Sequence, residues 1–208
     1  MWQAAIKGHL LESADVTRQT AELCASDIER AARMIAESLG KGGRVLLCGN
    51  GGSAADCQHI AGEFTSLLSR EFVRPALSAI ALTTDTSFLT ASANDFGFEG
   101  VFARQVEALG RKGDVLVAIS TSGNSPNVAR AVERARELGI FTIGLTGAHG
   151  GRIAECVDAG VRVPSADVQH VQETHAVIGH VLCWMAERLL FGDGTADAGK
   201  GSPEPSRS

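Results

Sequence analysis

A continuous apolar segment followed at once by a cluster of hydroxyl side chains constrains the fold of this chain most. Residues 115–119 (Val-Leu-Val-Ala-Ile) lack the alternation of a half-exposed strand, which predicts a strand buried on both faces. Residues 120–125 (Ser-Thr-Ser-Gly-Asn-Ser) then form a polar loop, and the apolar residues after Pro126 follow helical spacing. Ser125 is a suitable N-cap and Pro126 a suitable first helical residue. The segment therefore predicts a strand, a loop and a helix.

The loop between this strand and this helix has the features of a phosphate site. Backbone N–H groups and the positive end of the helix dipole converge at a helix N-terminus, and serine hydroxyls add donors. A serine-rich loop without a ligand would be the commoner interpretation if the loop stood alone. A second loop of similar character, Gly-Asn-Gly-Gly-Ser at residues 49–53, follows an apolar strand at residues 44–48. Its glycines allow close backbone approach to a ligand, and Ser53 is expected to start the next helix.

Neither loop has the pattern of a nucleotide site. The turn at residues 49–53 does not match GxGxxG and lacks the lysine of a P-loop. We therefore expect no nucleotide cofactor.

Apolar strands alternate with helices along the chain. The strands are predicted at residues 44–48, 77–82, 115–119, 141–145 and 161–163. This pattern predicts an α/β fold with a single five-stranded parallel sheet covered by helices on both faces. Two N-terminal helices are expected over residues 1–40, either covering the core or contacting another subunit. We expect one domain over residues 1–191 and a disordered tail over residues 192–208, which is small, polar and unpatterned.

The composition argues against several classes of function. With 19 basic and 24 acidic residues the formal net charge is −5, and without a basic run nucleic-acid binding is not expected. No apolar run reaches membrane-spanning length, and no signal peptide is recognisable. Five scattered cysteines without CxxC spacing predict thiols in a reducing compartment, so we expect a cytoplasmic location.

Two sets of polar residues lie on predicted helices. His59 and Glu63 are four residues apart and share one helix face, although an isolated pair of this kind is usually only solvated. Gln172 and His180 lie on one line of the final helix, over residues 167–191, between apolar side chains. A lone histidine in that setting would usually be a core residue with its hydrogen bonds satisfied.

Several segments together resemble the sugar isomerase (SIS) domain family, which binds phosphosugars. The resemblance begins with residues 119–125 and 48–53. His59-Ile-Ala-Gly-Glu63, Ala-Asn-Asp-Phe-Gly-Phe at residues 93–98, and Gln172-Glu-Thr-His175 followed by His180 are similar to the branch that isomerises heptose phosphates. The resemblance covers about residues 1–190.

The resemblance implies isomerisation of sedoheptulose 7-phosphate to D-glycero-D-manno-heptose 7-phosphate through an enediol, a first step toward activated heptose. It implies that Glu63 is the base and His180 the acid, and a carboxylate and an imidazole suit such proton transfers near neutral pH. The phosphate contacts that it implies are Ser120, Thr121, Ser122 and Ser125. The implied sugar contacts are Asn50, Gly51, Gly52, Ser53, Glu63, Asn94, Asp95 and Gln172.

The resemblance also implies a zinc ion and an assembly. One zinc per subunit would be held by His59, Glu63, Gln172 and His180, where it would polarise the carbonyl of the substrate. Glu63 cannot be a tightly held ligand and a free base at once, so the metal is either structural or the base moves. Proteins like this are homotetramers with sites at subunit boundaries, and the N-terminal helices are candidates for that packing.

One segment departs from the family pattern. Family members often carry Thr or Asp shortly before an Arg in front of the Gln-Glu pair, whereas here Val168, Gln169 and His170 occupy that segment. The departure changes the expected sugar contacts and leaves the acid/base pair in place.

Two alternative functions remain open. A relative with this fold is a regulator that binds the bacterial replication initiator, and the joint presence of the four zinc-site residues favours the enzyme over such a scaffold. Other branches act on arabinose phosphate or amino sugars and often carry additional domains or different acid/base residues, neither of which this sequence has.

Overall fold

The computed structural model describes residues 2–192, which form three layers with one sheet between two layers of helices. The strands are β1 (Val45–Gly49), β2 (Ala79–Ala81), β3 (Val115–Ser120), β4 (Phe141–Thr146) and β5 (Ala159–Arg162). The helices are α1 (Trp2–Gly40), α2 (Gly52–Thr65), α3 (Thr86–Phe96), α4 (Val101–Leu109), α5 (Pro126–Glu137), α6 (Gly151–Cys156) and α7 (Val168–Phe191). A short 3-10 turn, Phe98–Gly100, precedes α4. The predicted tail lies outside the described residues from residue 193 onward.

The sheet confirms the predicted α/β fold and its five parallel strands. Their order is β2-β1-β3-β4-β5, and Leu47 of β1 pairs with Val117 of β3. All residues of β1 and β3 are buried, because helices cover both faces of these strands.

Alternate residues of each strand point into two separate parts of the core. Val45 and Leu47 pack with residues of α1, α2 and α7 on one face of the sheet. Leu46 and Cys48 pack with residues of α4, α5 and α6 on the other. The helices α2 and α7, which carry the predicted acid/base residues, therefore share one layer with α1.

The N-terminal segment differs from the prediction, because it forms a single helix of 39 residues rather than two. The polar stretch between Leu11 and Leu23 contains no glycine or proline that would interrupt a helix. Its side chains instead bond along the helix, with Arg18 donating to Glu22 at 2.6 Å and Thr20 donating to the carbonyl of Val16 at 2.8 Å. Within residues 2–192, α1 and the other helices all lack the combination of length and apolar character needed to cross a bilayer.

The strand order creates a crevice between β1 and β3. The chain leaves β1 toward β2 on one side, whereas β3 lies on the other side of β1. Ligands of doubly wound sheets bind at such a switch point, beyond the carboxyl ends of the strands. The two loops singled out in the sequence, residues 49–53 and 120–125, follow these two strands.

Candidate active site

The loop after β3 brings three serine hydroxyls together. Ser120 Oγ lies 3.0 Å from Ser125 Oγ and 3.5 Å from Ser122 Oγ. Ser125 is the N-cap of α5 and Pro126 its first residue, as predicted. Within the described chain the Ser125 side chain makes no capping hydrogen bond, because its hydroxyl faces Ser120 instead. The loop therefore presents hydroxyl donors beside the N-terminus of a 12-residue helix, an arrangement suited to an anion.

Gly123 gives this loop its shape. Its φ is +66°, and a Cβ at this position would overlap the carbonyl oxygen of Gly150. The carbonyl of Gly123 accepts a hydrogen bond of 3.0 Å from the backbone N–H of Ile153, and Asn124 Oδ1 accepts one of 3.1 Å from Arg152. The backbone N–H groups at the start of α6 thus hold the serine loop in place.

The turn after β1 is joined to the serine loop by a pair of amides. Asn50 Nδ2 donates to Asn127 Oδ1 at 2.8 Å, and Asn127 Nδ2 donates to Asn50 Oδ1 at 2.9 Å. Asn127 is buried in the first turn of α5. Asn50, predicted to contact the sugar, therefore fixes the distance between the two loops.

The start of α2 differs from the prediction that Ser53 begins this helix. The helix begins at Gly52, its N-cap is Gly51 with φ +57°, and Ser53 is buried in its first turn. A Cβ at Gly52 would lie 2.5 Å from Nε2 of Gln172 and 2.8 Å from its Oε1. The lack of a side chain at residue 52 is what allows the Gln172 amide to lie against this turn.

Three of the predicted site residues meet between α2 and α7. His59 Nε2 lies 2.7 Å from His180 Nε2 and 3.7 Å from Glu63 Oε1, and the two imidazole rings are nearly perpendicular. Both histidines are exposed, and the Glu63 side chain is 20 % exposed. The His59 and Glu63 side chains therefore face His180 across the helix pair, as a shared site requires.

Close packing of the two helices produces this meeting. Ile60 and Gly179, the neighbours of His59 and His180, lie against each other, and a Cβ at Gly179 would come within 2.6 Å of Ile60 Cδ1. Gln172 lies eight residues, or about 12 Å, before His180 along α7. Its amide lies beside Gly52, whereas His59 lies about 10 Å further along α2. The structure thus brings three of the four predicted zinc ligands together, and the fourth lies nearer the turn.

The carboxyl end of α2 is held by a buried arginine that the sequence analysis missed. Arg74 donates hydrogen bonds to the carbonyls of Glu63 at 2.7 Å and Phe64 at 2.9 Å. Its Nε atom lies 3.2 Å from Oε2 of Glu187 on α7. Arg74 therefore links the backbone at Glu63 to the helix that carries His180. In the sequence, the role of Arg74 is marked only by its being a charged residue in a loop without a regular pattern.

His175, part of the Gln-Glu-Thr-His motif, lies in the core. Its Nε2 atom lies 3.3 Å from the carbonyl oxygen of Thr146 at the end of β4, and within the described residues its Nδ1 has no hydrogen-bond partner. Burial lowers the pKa of His175 to about 4. The imidazole is neutral near pH 7 and links α7 to the edge of the sheet where the loops lie.

A cleft of about 420 Å³ opens beside the serine loop. Its walls are Thr121, Ser122, Asn124, Gly147, Ala148, His149, Ser165, Ala166, Val168 and Val171. Two of the predicted phosphate contacts line it, whereas the cluster of His59, Glu63 and His180 lies outside it.

Asp167, in the segment that departs from the family pattern, caps α7 by accepting a hydrogen bond of 2.8 Å from the N–H of Gln169.

Asn94 and Asp95 are exposed near the end of α3. Asn94 Nδ2 donates to Asp95 Oδ1 at 2.9 Å, and within residues 2–192 neither side chain bonds to the loops after β1 or β3. The protomer thus does not bring these two predicted sugar contacts to the other site residues.

Comparison with known sequences identifies relatives over most of the chain. The family description "SIS domain" matches residues 10–147. A phosphoheptose isomerase from Roseiflexus is 54 % identical over 86 % of this chain and 90 % of its own length.

Solved structures agree in fold over nearly the whole chain. A phosphoheptose isomerase from Neisseria gonorrhoeae superimposes with a TM-score of 0.84 at 43 % identity, covering 89 % of this chain and 98 % of that one. A phosphoheptose isomerase from Francisella tularensis gives a TM-score of 0.86 at 38 % identity, covering 90 % of this chain and 99 % of that one.

Proposed function

The chain belongs to the SIS domain family and, within it, to the phosphoheptose isomerases, and we propose that it interconverts sedoheptulose 7-phosphate and D-glycero-D-manno-heptose 7-phosphate. The observation that carries the proposal is the meeting of His59, Glu63 and His180 between α2 and α7, with 2.7 Å between the two imidazole nitrogens. Moving a carbonyl between adjacent carbons requires a general base and a general acid, and a carboxylate beside imidazoles can provide both.

The reaction needs two steps, and in each step Glu63 and His180 each move one proton to or from the substrate. Glu63 removes the proton from C1 of the ketose while His180 protonates the carbonyl oxygen on C2, which gives the enediol. Glu63 then returns its proton to C2, and His180 takes the proton from the hydroxyl on C1 as the new carbonyl forms. The atoms balance without an external oxidant or reductant. His59 lies between Glu63 and His180 and is positioned to orient both.

The phosphate group is bound at a distance from the reacting carbons. We assign it to Ser120, Thr121, Ser122 and Ser125 at the N-terminus of α5, and this is supported by the convergence of the serine hydroxyls. Binding energy from this remote group holds C1 and C2 against the acid and base. We assign the sugar chain to Gly51, Gly52 and Ser53 at the turn after β1, and to Gln172, whose amide lies against Gly52.

We propose further that a zinc ion binds His59, Glu63 and His180, with Gln172 as a fourth ligand after a change of rotamer. The proposal is supported by the donor atoms of the first three residues, which lie within 4.8 Å of one another. Two imidazole nitrogens and a carboxylate are a donor set that zinc accepts, and zinc supplies Lewis-acid polarisation of a carbonyl. Glu63 and His180 carry out the proton transfers only while they are not ligands of the ion.

We propose that the working enzyme is a cytoplasmic homotetramer whose site is completed by a second subunit. The assembly is supported by the exposure of His59 and His180, because a proton-transfer site that excludes water needs a cover. Asn94 and Asp95, which lie apart from the other site residues in the protomer, are suited to provide it. The location is supported by the five cysteines, none of which forms a disulfide within residues 2–192.

The test is deuterium exchange with sedoheptulose 7-phosphate in deuterium oxide, followed by NMR. The wild type should exchange at C1 and C2 and form the heptose phosphate, whereas Glu63→Gln and His180→Gln should lose at least a hundredfold in rate. Glu155→Gln, an exposed carboxylate outside the site, is the matched control and should retain wild-type exchange. Folded wild-type protein without exchange, with zinc added, would overturn the isomerase assignment and favour a regulatory role.

A further inference from the structure

Two packed helices carry the same four-residue pattern outside the proposed active site. On α1 the pattern is His9-Leu-Leu-Glu12, and on α7 it is His170-Val-Gln-Glu173. Residues three apart lie on one face of a helix, so each pattern presents an imidazole and a carboxylate side by side. Such a His-carboxylate pair on each of two facing helices is how helical bundles assemble metal sites.

The four side chains meet across the helix pair. His170 Nδ1 lies 3.2 Å from Glu173 Oε2, His9 Nε2 lies 3.8 Å from Glu173 Oε1, and His170 Nε2 lies 3.7 Å from Glu12 Oε2. The imidazole rings of His9 and His170 are 4.7 Å apart between centroids. One ligand atom each of His9, His170 and Glu173 lies within 4.8 Å of the others.

The charge around the two imidazoles is negative. Glu12, Asp167 and Glu173 surround them, and within residues 2–192 no lysine or arginine forms an ion pair with these three carboxylates. Ser13 Oγ donates to Glu173 Oε2 at 2.5 Å and orients that carboxylate.

We propose that His9, His170 and Glu173 form a second site for a divalent transition metal such as Zn²⁺. Two imidazole nitrogens and one carboxylate, with a water molecule in the fourth position, fit a tetrahedral zinc ion. His170, which is buried, forms the fixed part of the site, the exposed His9 closes over the ion, and Glu12 adds negative charge beside it.

The metal at this second site fastens α1 to α7. The first fully buried residue of α1 is Thr20, so the preceding turns are lightly packed in the protomer. The His9, Glu12 and Ser13 contacts join those turns to α7 at one polar point. A bound ion would add metal–ligand bonds to the Ser13–Glu173 hydrogen bond at this point.

The second site is distinct from the proposed active site. His170 and His180 are ten residues apart on α7, or about 15 Å along its axis. Gln172 and Glu173 are adjacent, but Gln172 lies against Gly52 of α2 whereas Glu173 bonds to Ser13 of α1.

The experiment counts metal ions in the full-length chain. Metal-free wild type, His59→Gln/His180→Gln, His9→Gln, His9→Gln/His170→Gln and the triple variant His9→Gln/His59→Gln/His180→Gln are dialysed against Zn²⁺ and analysed by mass spectrometry of the metal. His149→Gln is the matched control outside both clusters. Circular dichroism verifies folding, and the exposed His9→Gln variant keeps the test valid if substitution of the buried His170 disturbs the fold.

We expect two ions per chain in the wild type and in the control, and one in His59→Gln/His180→Gln. In that variant, adding His9→Gln should weaken the remaining Zn²⁺ at least tenfold, and zinc should slow amide hydrogen exchange in residues 2–17 only while His9 is present. Loss of all zinc from His59→Gln/His180→Gln, or unchanged binding after His9→Gln, would overturn the second site. A wild type with one ion, kept in His59→Gln/His180→Gln and weakened by His9→Gln, would support the second site and contradict the active-site zinc.

Discussion

Arg74 and Glu187 form an ion pair with 3.2 Å between Nε and Oε2, and both side chains are only 1 % exposed. The same guanidinium donates to the carbonyls of Glu63 and Phe64 at the end of α2. Because Glu187 lies on α7, the pair links the backbone of the proposed base to the helix of the proposed acid. This link fixes how far α2 and α7 can slide along each other.

Removing one partner of this pair should be more harmful than removing both. Arg74→Met leaves the Glu187 carboxylate buried and unpaired, which we expect to lower the free energy of unfolding by about 3–5 kcal/mol. Arg74→Met/Glu187→Leu should lose less than the sum of the single variants, as urea unfolding will measure. Additive losses would mean that the two groups are not energetically coupled.

The amide pair of Asn50 and Asn127 should couple the two site loops. Asn127→Ala removes a buried partner, and we expect a loss of about 1–3 kcal/mol in the free energy of unfolding together with a higher KM for the phosphosugar. Asn50→Ala should give a similar change in KM, and the double variant should add little. A double-mutant cycle on KM measures this coupling, and independent effects of the two substitutions would contradict it.

The backbone conformation at Gly123 should be required for phosphate binding. A side chain there is strained at φ +66° and would overlap the carbonyl oxygen of Gly150. We expect Gly123→Ala to cost more than about 1 kcal/mol of stability and to weaken inorganic phosphate at least tenfold in calorimetry. Gly160→Ala, where the nearest atom to the new Cβ would be Val157 Cγ2 at 3.5 Å, is the control. Equal phosphate affinity in Gly123→Ala would contradict the assigned site.

His175 should make the fold sensitive to acid. Burial lowers its folded-state pKa to about 4, below the ordinary value of 6.5. Between these values the unfolded chain binds a proton that the folded chain does not, so stability is full above pH 6.5 and falls toward pH 4. The loss is about 3 kcal/mol by this linkage.

Chemical unfolding at pH 7.5 and pH 5 checks the role of His175. In His175→Gln, whose amide does not titrate in this range, the decrease between the two pH values should be smaller than in the wild type. An identical decrease in both proteins would assign the acid sensitivity to other groups.

The sequence carried enough information for the sheet and for the loops at its carboxyl edge. Residues 115–126 predicted a buried strand, a polar loop and a helix beginning at Pro126, and all three are present. Local signals suffice here because burial, turn chemistry and capping act within a few residues.

The contacts between elements far apart in the chain could not be predicted from local sequence patterns. Spacing placed His59 and Glu63 on one face of α2, but only the packing of α2 on α7 brings His180 to them. Arg74 and Asn127 have partners 113 and 77 residues away, and no periodicity marks either residue. The apolar pattern predicts two N-terminal helices because a polar stretch interrupts it, whereas side-chain hydrogen bonds along the helix, which that pattern does not include, accompany a single helix.

The small size of Gly179 influences the distance between His59 and His180, although Gly179 contacts neither side chain's reacting atoms. A Cβ at residue 179 would come within 2.6 Å of Ile60, and the sequence neighbours of these two residues, His180 and His59, meet between the same helices. The size of the side chain at residue 179 therefore determines how closely α2 and α7 approach, and with it the separation of His180 from His59. A methyl group added there would have to displace Ile60 or the α7 backbone, and a shift of that backbone would move His180 without altering a reacting atom.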